Sequence, residues 1–340
     1  MTSVSDVVAA HLLEWDTPPY VDLAIFGSAD PRFIAGELTG FCQEYLGAGI
    51  AEGLFHQSSI GSVTGVVLDD GRRVVIKAHQ PFRSVQELTE IVRVQRHLHE
   101  QHLYAPTVLL GPAPLVHGHA TVEPFLDEGV LMDAHRPAIR AALAQSLFNI
   151  VSCCAPLVSS SSLQPQLLAM RGEKLWPTPH SRLFDFERTA QGAQWIDVIA
   201  SRAREQMRDI GDLVISHGDW RSEHVRFAGV KPIVAFDWDS LCREREPCLV
   251  GFTMHSFCAN WTLEQRQAPT VEEAVAFLHA YEAARGRAFD VEERRLCVAS
   301  FTYACAYTSR CAHALGHDER SIPGTFQHLL SSESARMMRL

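Results

Sequence analysis

A predicted β-hairpin at residues 62–78 restricts the fold more than any other segment does. Two runs rich in β-branched residues, SVTGVVL and RVVIKA, are joined by the turn residues Asp-Asp-Gly-Arg. A short connection of this composition predicts antiparallel pairing, because aspartate and glycine adopt the backbone angles that tight turns need. The first part of the chain is therefore expected to contain an antiparallel sheet.

Helical patterns before and after the hairpin predict an α+β protein. Apolar residues recur at helical spacing in several segments. The predicted helices cover residues 31–48, 84–100, 137–158 and 191–208, and two more begin at Thr270 and Asp290, each followed three residues later by the glutamate of a capping box. The predicted secondary structure becomes mainly helical near residue 123. We therefore expect a small N-terminal unit at 1–122 and a larger helical unit at 123–340.

Composition restricts the class of partner. The 340 residues are 46% hydrophobic, and their formal net charge of -10 argues against a protein that neutralises nucleic-acid phosphates. The cysteines form no Cys-x-x-Cys pair, which is typical of an intracellular protein. The N-terminus lacks the basic region of a signal peptide, and uncharged runs such as CVASFTYACAY are too short to span a bilayer. We expect a cytoplasmic protein that binds neither nucleic acid nor membrane.

Two acidic motifs follow short apolar runs in the second part of the chain. His217-Gly218-Asp219 follows LVIS, and Asp237-Trp238-Asp239 follows PIVAF and ends the region. An aspartate after a strand often serves only as a turn former. As a pair, however, the two acids suit phosphoryl transfer, which needs a carboxylate to accept a proton from a hydroxyl and a hard oxygen ligand for Mg²⁺.

Together with Lys77 on the third predicted strand, these motifs resemble the aminoglycoside phosphotransferase and choline kinase-like family, whose fold is that of protein kinases. Residues 217–219 match the start of the family motif H-G-D-x-x-x-x-N, and residues 236–238 match the later I-D-W/F. The resemblance implies a protein kinase-like two-lobed fold and transfer of the γ-phosphate of ATP to a hydroxyl of a small molecule, with Mg²⁺ or Mn²⁺. Asp219 is then the catalytic base and Asp237 the metal ligand.

The resemblance also implies how the first unit binds ATP. Lys77 corresponds to the lysine that contacts the α- and β-phosphates, although a lysine on an edge strand can also serve only to prevent aggregation. Its acidic partner is expected on the following helix, where Glu87 and Glu90 are the candidates and Glu90 is preferred. Either glutamate can equally well lie on an ordinary solvent-exposed face of the helix, with no role in binding.

Two more segments are expected to contact the nucleotide. The stretch SSIGSVTG is not a Walker loop, but it resembles in position the short phosphate-covering loop of the antibiotic kinases, with Ser59, Gly61 and Ser62 as candidates. Taken alone, such a cluster predicts only a turn. The segment VEPFL falls where the hinge between the lobes would present backbone groups to adenine, which indicates Glu123 and Phe125.

Two residues near the acids have open roles. Arg221 is expected either near the transferred phosphate or in an ion pair with Glu223. His224 stands where the family motif has asparagine. It either donates a hydrogen bond to a catalytic carboxylate, leaving the metal to Asp237 with help from Asp239, or ligates the metal itself and favours Mn²⁺.

Two other functions compete with a small-molecule kinase. A pseudokinase that binds nucleotide without turnover would also explain the histidine at position 224. A protein kinase is disfavoured because the chain lacks H-R-D, D-F-G and an activation segment that ends in A-P-E.

Overall fold

The computed structural model describes residues 2–13, 19–165, 173–179 and 181–340. The chain divides into two units, one formed by Met1–His99 with Pro106–Asp127 and the other by Glu100–Ala105 with Glu128–Leu340. The first unit therefore extends to Asp127, beyond the position at residue 122 that the sequence suggests, because the last strand of its sheet continues to Pro124.

An antiparallel five-stranded sheet with the order β1-β2-β3-β5-β4 forms the centre of the first unit. The predicted hairpin is present as β2 and β3, which the turn at Asp69-Asp70-Gly71 connects. The elements are α1 (Val4–Leu13), α2 (Tyr20–Phe26), α3 (Pro31–Leu46), β1 (Ile50–Ser58), β2 (Ser62–Leu68), β3 (Arg73–His79), α4 (Val85–Glu100), β4 (Leu110–Leu115) and β5 (Gly118–Pro124).

The two faces of this sheet have different environments. Val66, Ile76 and Val122 are buried on one face, in a core that they share with residues of α1, α2 and α3. Because successive side chains of a strand point to opposite faces, Lys77 and Glu123 lie on the other face. The sheet therefore presents Lys77 on the side opposite the three N-terminal helices.

Helices and two short antiparallel strand pairs form the second unit. Strand β6 pairs with β9, and β7 pairs with β8. Both predicted capping boxes are present, at Thr270 with Glu273 and at Asp290 with Glu293. The elements are α5 (Pro137–Cys154), α6 (Gln194–Gln206), β6 (Leu213–His217), β7 (Val225–Ala228), β8 (Lys231–Ala235), β9 (Leu241–Arg245), α7 (Glu246–Ser256), α8 (Val271–Arg285), α9 (Val291–Ala314) and α10 (Phe326–Met337).

One helical segment is longer and more apolar than expected for this chain. Residues Pro137–Ser160 are long enough and apolar enough to cross a membrane by length and composition, so the expectation that every uncharged run is too short was wrong. Ile139, Leu143, Leu147 and Ile150 are nevertheless fully buried in the protein. Their burial accounts for the apolar composition of α5, as in the core helix of a globular unit.

Candidate active site

His217 fixes the backbone of the segment that carries Asp219. Its side chain is fully buried, Nε2 donates to the Phe236 carbonyl at 2.9 Å, and Nδ1 accepts from the Asp219 N–H at 3.2 Å. These two bonds require a neutral ring with its proton on Nε2. Burial, with a contribution from nearby His224, lowers the pKa of His217 to about 4. The ring is therefore neutral at physiological pH and links the ends of β6 and β8.

Two buried tryptophans hold His217 in place. The ring centroid of His217 lies 5.5 Å from that of Trp220 and 5.2 Å from that of Trp238. Trp220 donates from Nε1 to the Leu143 carbonyl at 2.9 Å, and Trp238 donates to the Ala235 carbonyl at 2.7 Å. The indole N–H groups of both tryptophans are thus hydrogen-bonded in the core, and the turn that bears Asp219 packs on these two buried side chains.

Asp219 lies on the turn after β6, with its carboxylate paired to Arg221. The Arg221 Nη1 atom is 2.9 Å from Asp219 Oδ2, and Nη2 is 3.0 Å from Glu223 Oε2. Burial opposes ionisation of Asp219, but the positive charge of Arg221 and further favourable charges hold its pKa below the ordinary value. The guanidinium also lies 4.9 Å above the ring of the exposed Trp261. Arg221 therefore has the Glu223 pairing that was one of its two expected roles.

Asp237 follows β8 in an unusual backbone conformation. Its φ is 64°, a left-handed conformation that few residues other than glycine adopt. Strand β8 ends at Ala235, and a short 3₁₀ turn at Trp238–Ser240 follows. The expected help of Asp239 in holding the metal stays a prediction, but Asp237 and Asp239 do not share the face of a continuing strand, because β8 ends before both residues.

His224 brings the two acids together. Its Nδ1 lies 3.9 Å from Asp219 Oδ2 and 3.8 Å from Asp237 Oδ2, and potential ligand atoms of the three residues all lie within 4.8 Å of one another. The same Nδ1 is 3.0 Å from the Asp219 carbonyl oxygen. A carbonyl only accepts, so Nδ1 carries a proton in this arrangement and offers no lone pair to a metal.

The donor set nonetheless fits a hard divalent cation. Asp219 and Asp237 contribute carboxylate oxygens, the ligands that Mg²⁺ prefers, and the side chain of Asp237 is 43% exposed. The hydrogen bond from His224 goes to the backbone of Asp219, rather than to a carboxylate as one expectation had it. The residues can hold Mg²⁺ or Mn²⁺ through oxygen while His224 orients the loop.

Lys77 pairs with an acid of its own sheet. Its Nζ lies 3.3 Å from Glu123 Oε1, and Gln95 of α4 donates to the same oxygen at 2.7 Å. Both charged side chains are almost completely buried. The expected partners on α4 have other strong contacts, since Glu90 accepts two hydrogen bonds from Arg93 and Glu87 accepts one from Arg83. The preference for Glu90 as a nucleotide-site residue stays a prediction.

The predicted phosphate-covering segment is a short turn between β1 and β2. The Ser59 N–H donates to the Gly61 carbonyl at 3.0 Å, and Gln80 Nε2 donates to the Ile60 carbonyl at 2.6 Å. A Cβ atom at Gly61 would stand 2.9 Å from the carbonyl oxygen of Ala78, the neighbour of Lys77. Glycine thus lets the turn approach the strand that carries the lysine.

Two predicted contact residues are placed differently from the expectation. Ser62 is buried with its hydroxyl inside the unit, because it is the first residue of β2 and points to the core face of the sheet. The Phe125 N–H donates to the Arg73 carbonyl at 2.9 Å, so this backbone donor belongs to the sheet rather than to a free hinge. Ser59 is exposed and Gly61 is half-buried, and their contact with the nucleotide stays a prediction.

The side chains of Gln95 and Glu123 were not among the residues predicted to form the lysine site. Glu123 was chosen for its backbone, whereas its carboxylate forms an ion pair with Lys77. A signal was present, since Thr121 and Glu123 alternate with the apolar Ala120 and Val122 in β5. An acid at a buried strand position needs a charged or hydrogen-bonding partner, and the only lysine on the neighbouring strand β3 is Lys77.

Comparisons with known proteins identify the family and the fold of this chain. Residues 62–295, more than half of the chain, match a family described as the phosphotransferase enzyme family. The comparison with curated proteins gives no match. Among solved structures, an AMP-bound spectinomycin phosphotransferase is similar with a TM-score of 0.56 and 12% identity, over 87% of this chain and 98% of that one.

Two further solved structures show the same similarity. A macrolide 2'-phosphotransferase from Brachybacterium faecium has a TM-score of 0.54 and 13% identity, over 89% of this chain and 97% of that one. An amicoumacin kinase in complex with AMP-PNP and Ca²⁺ has a TM-score of 0.55 and 11% identity, over 84% and 88%. At such low identity the similarity shows a shared fold, and it confirms the predicted kinase-like α+β architecture.

Proposed function

Because this chain belongs to the phosphotransferase enzyme family, we propose that it transfers the γ-phosphate of ATP to a hydroxyl group of a small molecule. The observation that carries the proposal is the cluster of Asp219, His224 and Asp237, whose potential ligand atoms lie within 4.8 Å of one another. Two carboxylates so close together suit a reaction that needs both a proton acceptor and a metal ligand.

Asp219 is the base in this proposal. Its carboxylate is ionised at neutral pH because the positive charge of Arg221 and further favourable charges together outweigh the effect of burial on its pKa. The side chain is 29% exposed, so an acceptor hydroxyl can reach it and donate its proton to Oδ1 or Oδ2 as the oxygen attacks phosphorus. Arg221 keeps the carboxylate in one orientation, since Glu223 and Trp261 hold the guanidinium from two other sides.

Asp237 is the principal metal ligand in this proposal. When bound, Mg²⁺ would neutralise charge on the phosphates of ATP. The strained backbone of Asp237 directs its carboxylate toward His224 rather than along the strand. His224 then acts through the Asp219 carbonyl, a role that an asparagine amide could also perform, and this hydrogen bond favours retained turnover over a pseudokinase.

The first unit supplies groups for the nucleotide. Lys77 is held by Glu123, as a lysine that contacts phosphates must be oriented to act on them. The turn Ser59–Gly61 offers backbone N–H groups and the hydroxyl of Ser59 beside the strand of Lys77. Backbone groups and a lysine together form a binding site for phosphate oxygens.

The acceptor is proposed to be an aminoglycoside-like antibiotic or a small metabolite. Similar structures include a spectinomycin phosphotransferase, a macrolide 2'-phosphotransferase and an amicoumacin kinase. The formal net charge of -10 disfavours binding to nucleic-acid phosphates. We propose that the enzyme works on small molecules in the cytoplasm.

A panel of hydroxyl compounds tests this function. Purified protein is incubated with ATP and each compound, with Mg²⁺, with Mn²⁺ and with chelator, and the phosphorylated product is identified by mass spectrometry. We expect one class of compound to gain a phosphate only when metal is present. Absence of nucleotide binding with either metal between about pH 6 and 9, together with no effect of Asp237→Ala, would contradict the proposal.

A further inference from the structure

A buried polar network lies at the base of the turn that precedes β2. It is formed by side chains of α1, α2, β1 and β2, namely His11, Asp22, His56, Ser58 and Thr64. Asp22 is fully buried, with Oδ1 3.3 Å from His56 Nε2 and with Oδ2 accepting from Ser58 Oγ at 2.9 Å. His56 Nδ1 lies 2.8 Å from Thr64 Oγ1 on the paired strand. The network thus connects the second helix to the first two strands.

The network stabilises the ionised form of the Asp22 carboxylate. Burial raises the pKa of a carboxyl group, yet the hydrogen bond and charge of His56 and the hydrogen bond from Ser58 hold the pKa of Asp22 below its ordinary value. An ionised carboxylate accepts stronger hydrogen bonds than a neutral group does. Asp22 therefore restrains the Ser58 hydroxyl more tightly than an ordinary core contact would.

Ser58 is held from a second direction by α1. The Ser58 N–H donates to His11 Nε2 at 3.1 Å, and the Ser58 hydroxyl lies 2.9 Å from the same nitrogen. Both the backbone and the side chain of one residue are thus fixed by two helices. Ser58 is the last residue of β1 and is paired with Ser62, so it is the point at which the turn Ser59–Gly61 begins.

We propose that Asp22 and Ser58 are positioning residues that set the turn Ser59–Gly61 for binding the phosphates of the nucleotide. This inference rests on the proposed function. The far end of the turn already has its own restraints, the close approach of Gly61 to the Ala78 carbonyl and the hydrogen bond from Gln80 to Ile60. Its near end depends on Ser58. Residues 1–61 precede the segment that matches the family, so α1 and α2 supply a device outside the matched segment.

The test compares binding of ATP with binding of adenosine, which lacks the phosphates. Calorimetric titrations are made on the full chain carrying Ser58→Ala, Asp22→Asn or Ser58→Thr, the last of which keeps the hydroxyl. We expect Ser58→Ala and Asp22→Asn to weaken ATP binding about tenfold, equivalent to about 1.4 kcal/mol, with adenosine affinity unchanged. Ser58→Thr should retain most of the ATP affinity.

Ile34→Val is the matched control, because Ile34 is fully buried in the core of the first unit and does not belong to the network. It should lower the melting temperature without changing the ratio of the two affinities. An unchanged ratio in folded Ser58→Ala and Asp22→Asn would overturn the inference and leave the proposed function intact. Failure of the parent protein to bind ATP would instead overturn the proposed function.

Discussion

Replacing His217 by glutamine is expected to reduce the loss of stability that acid causes. The folded protein holds His217 neutral with a pKa of about 4, whereas the ordinary value in an unfolded chain is about 6.5. The folded state thus excludes a proton that the unfolded state binds. The stabilising contribution is complete above about pH 6.5 and is lost progressively as the pH falls toward 4.

The magnitude follows from the two pKa values. At pH 5 the unfolded chain is favoured by about 2 kcal/mol relative to neutral pH, and below pH 4 the difference approaches about 3.4 kcal/mol. Glutamine at this position does not titrate, but it retains an acceptor and a donor for the Asp219 N–H and the Phe236 carbonyl. The variant should therefore lose about 2 kcal/mol less than the parent between pH 7.5 and 5.

Urea unfolding followed by tryptophan fluorescence measures this difference. Trp220 and Trp238 pack beside His217 and report directly on its surroundings. His279→Gln, at an exposed position of α8, makes the same chemical change away from the site and should keep the parental pH dependence. If His217→Gln and the parent lose the same free energy of unfolding between the two pH values, the account of a neutral, buried His217 is wrong.

Variants of Lys77, His224 and Arg221 test separate parts of the site. Lys77→Met should weaken ATP binding at least tenfold and destabilise the fold by about 3 kcal/mol, because Glu123 stays buried without this cation. The double variant with Glu123→Gln should recover stability in urea unfolding, but it should not recover ATP affinity in calorimetry. His224→Asn should keep most of the turnover number, since an amide can donate to the Asp219 carbonyl, whereas His224→Ala should lower the turnover number about tenfold. Equal turnover numbers of these two variants in steady-state assays would contradict this role of His224. Arg221→Ala should lower the turnover number about tenfold with little change in ATP affinity, and a selective loss of ATP affinity would instead indicate contact with the phosphates.

Local signals in the sequence predicted the parts of the fold that depend on neighbouring residues. The turn at Asp69–Gly71, the helix Val85–Glu100 and the capping box at Thr270 all follow from the conformations that a few adjacent residues prefer. The strand before Asp219 was predicted for the same reason. Motif spacing then identified Asp219 and Asp237, and the structure brings both next to His224.

Contacts between distant segments were harder to predict. The acid beside Lys77 comes from β5, and only the strand order β3-β5 makes the two residues neighbours. Periodicity also gives no account of where a strand stops, so the positive φ of Asp237 and the resulting place of Asp239 could not be inferred. Similarly, the sheet face to which Ser62 points depends on the register of β2.

The rate of metal-dependent phosphate transfer by Asp219→Asn tests the central claim most directly. The variant is assayed with ATP, Mg²⁺ and the acceptor found in the panel, and ATP affinity and urea unfolding are measured on the same preparation. Loss of the base should reduce the rate by roughly two to four powers of ten, with ATP affinity and stability close to those of the parent. A turnover number equal to that of the parent would remove Asp219 from the mechanism and contradict the account of this site.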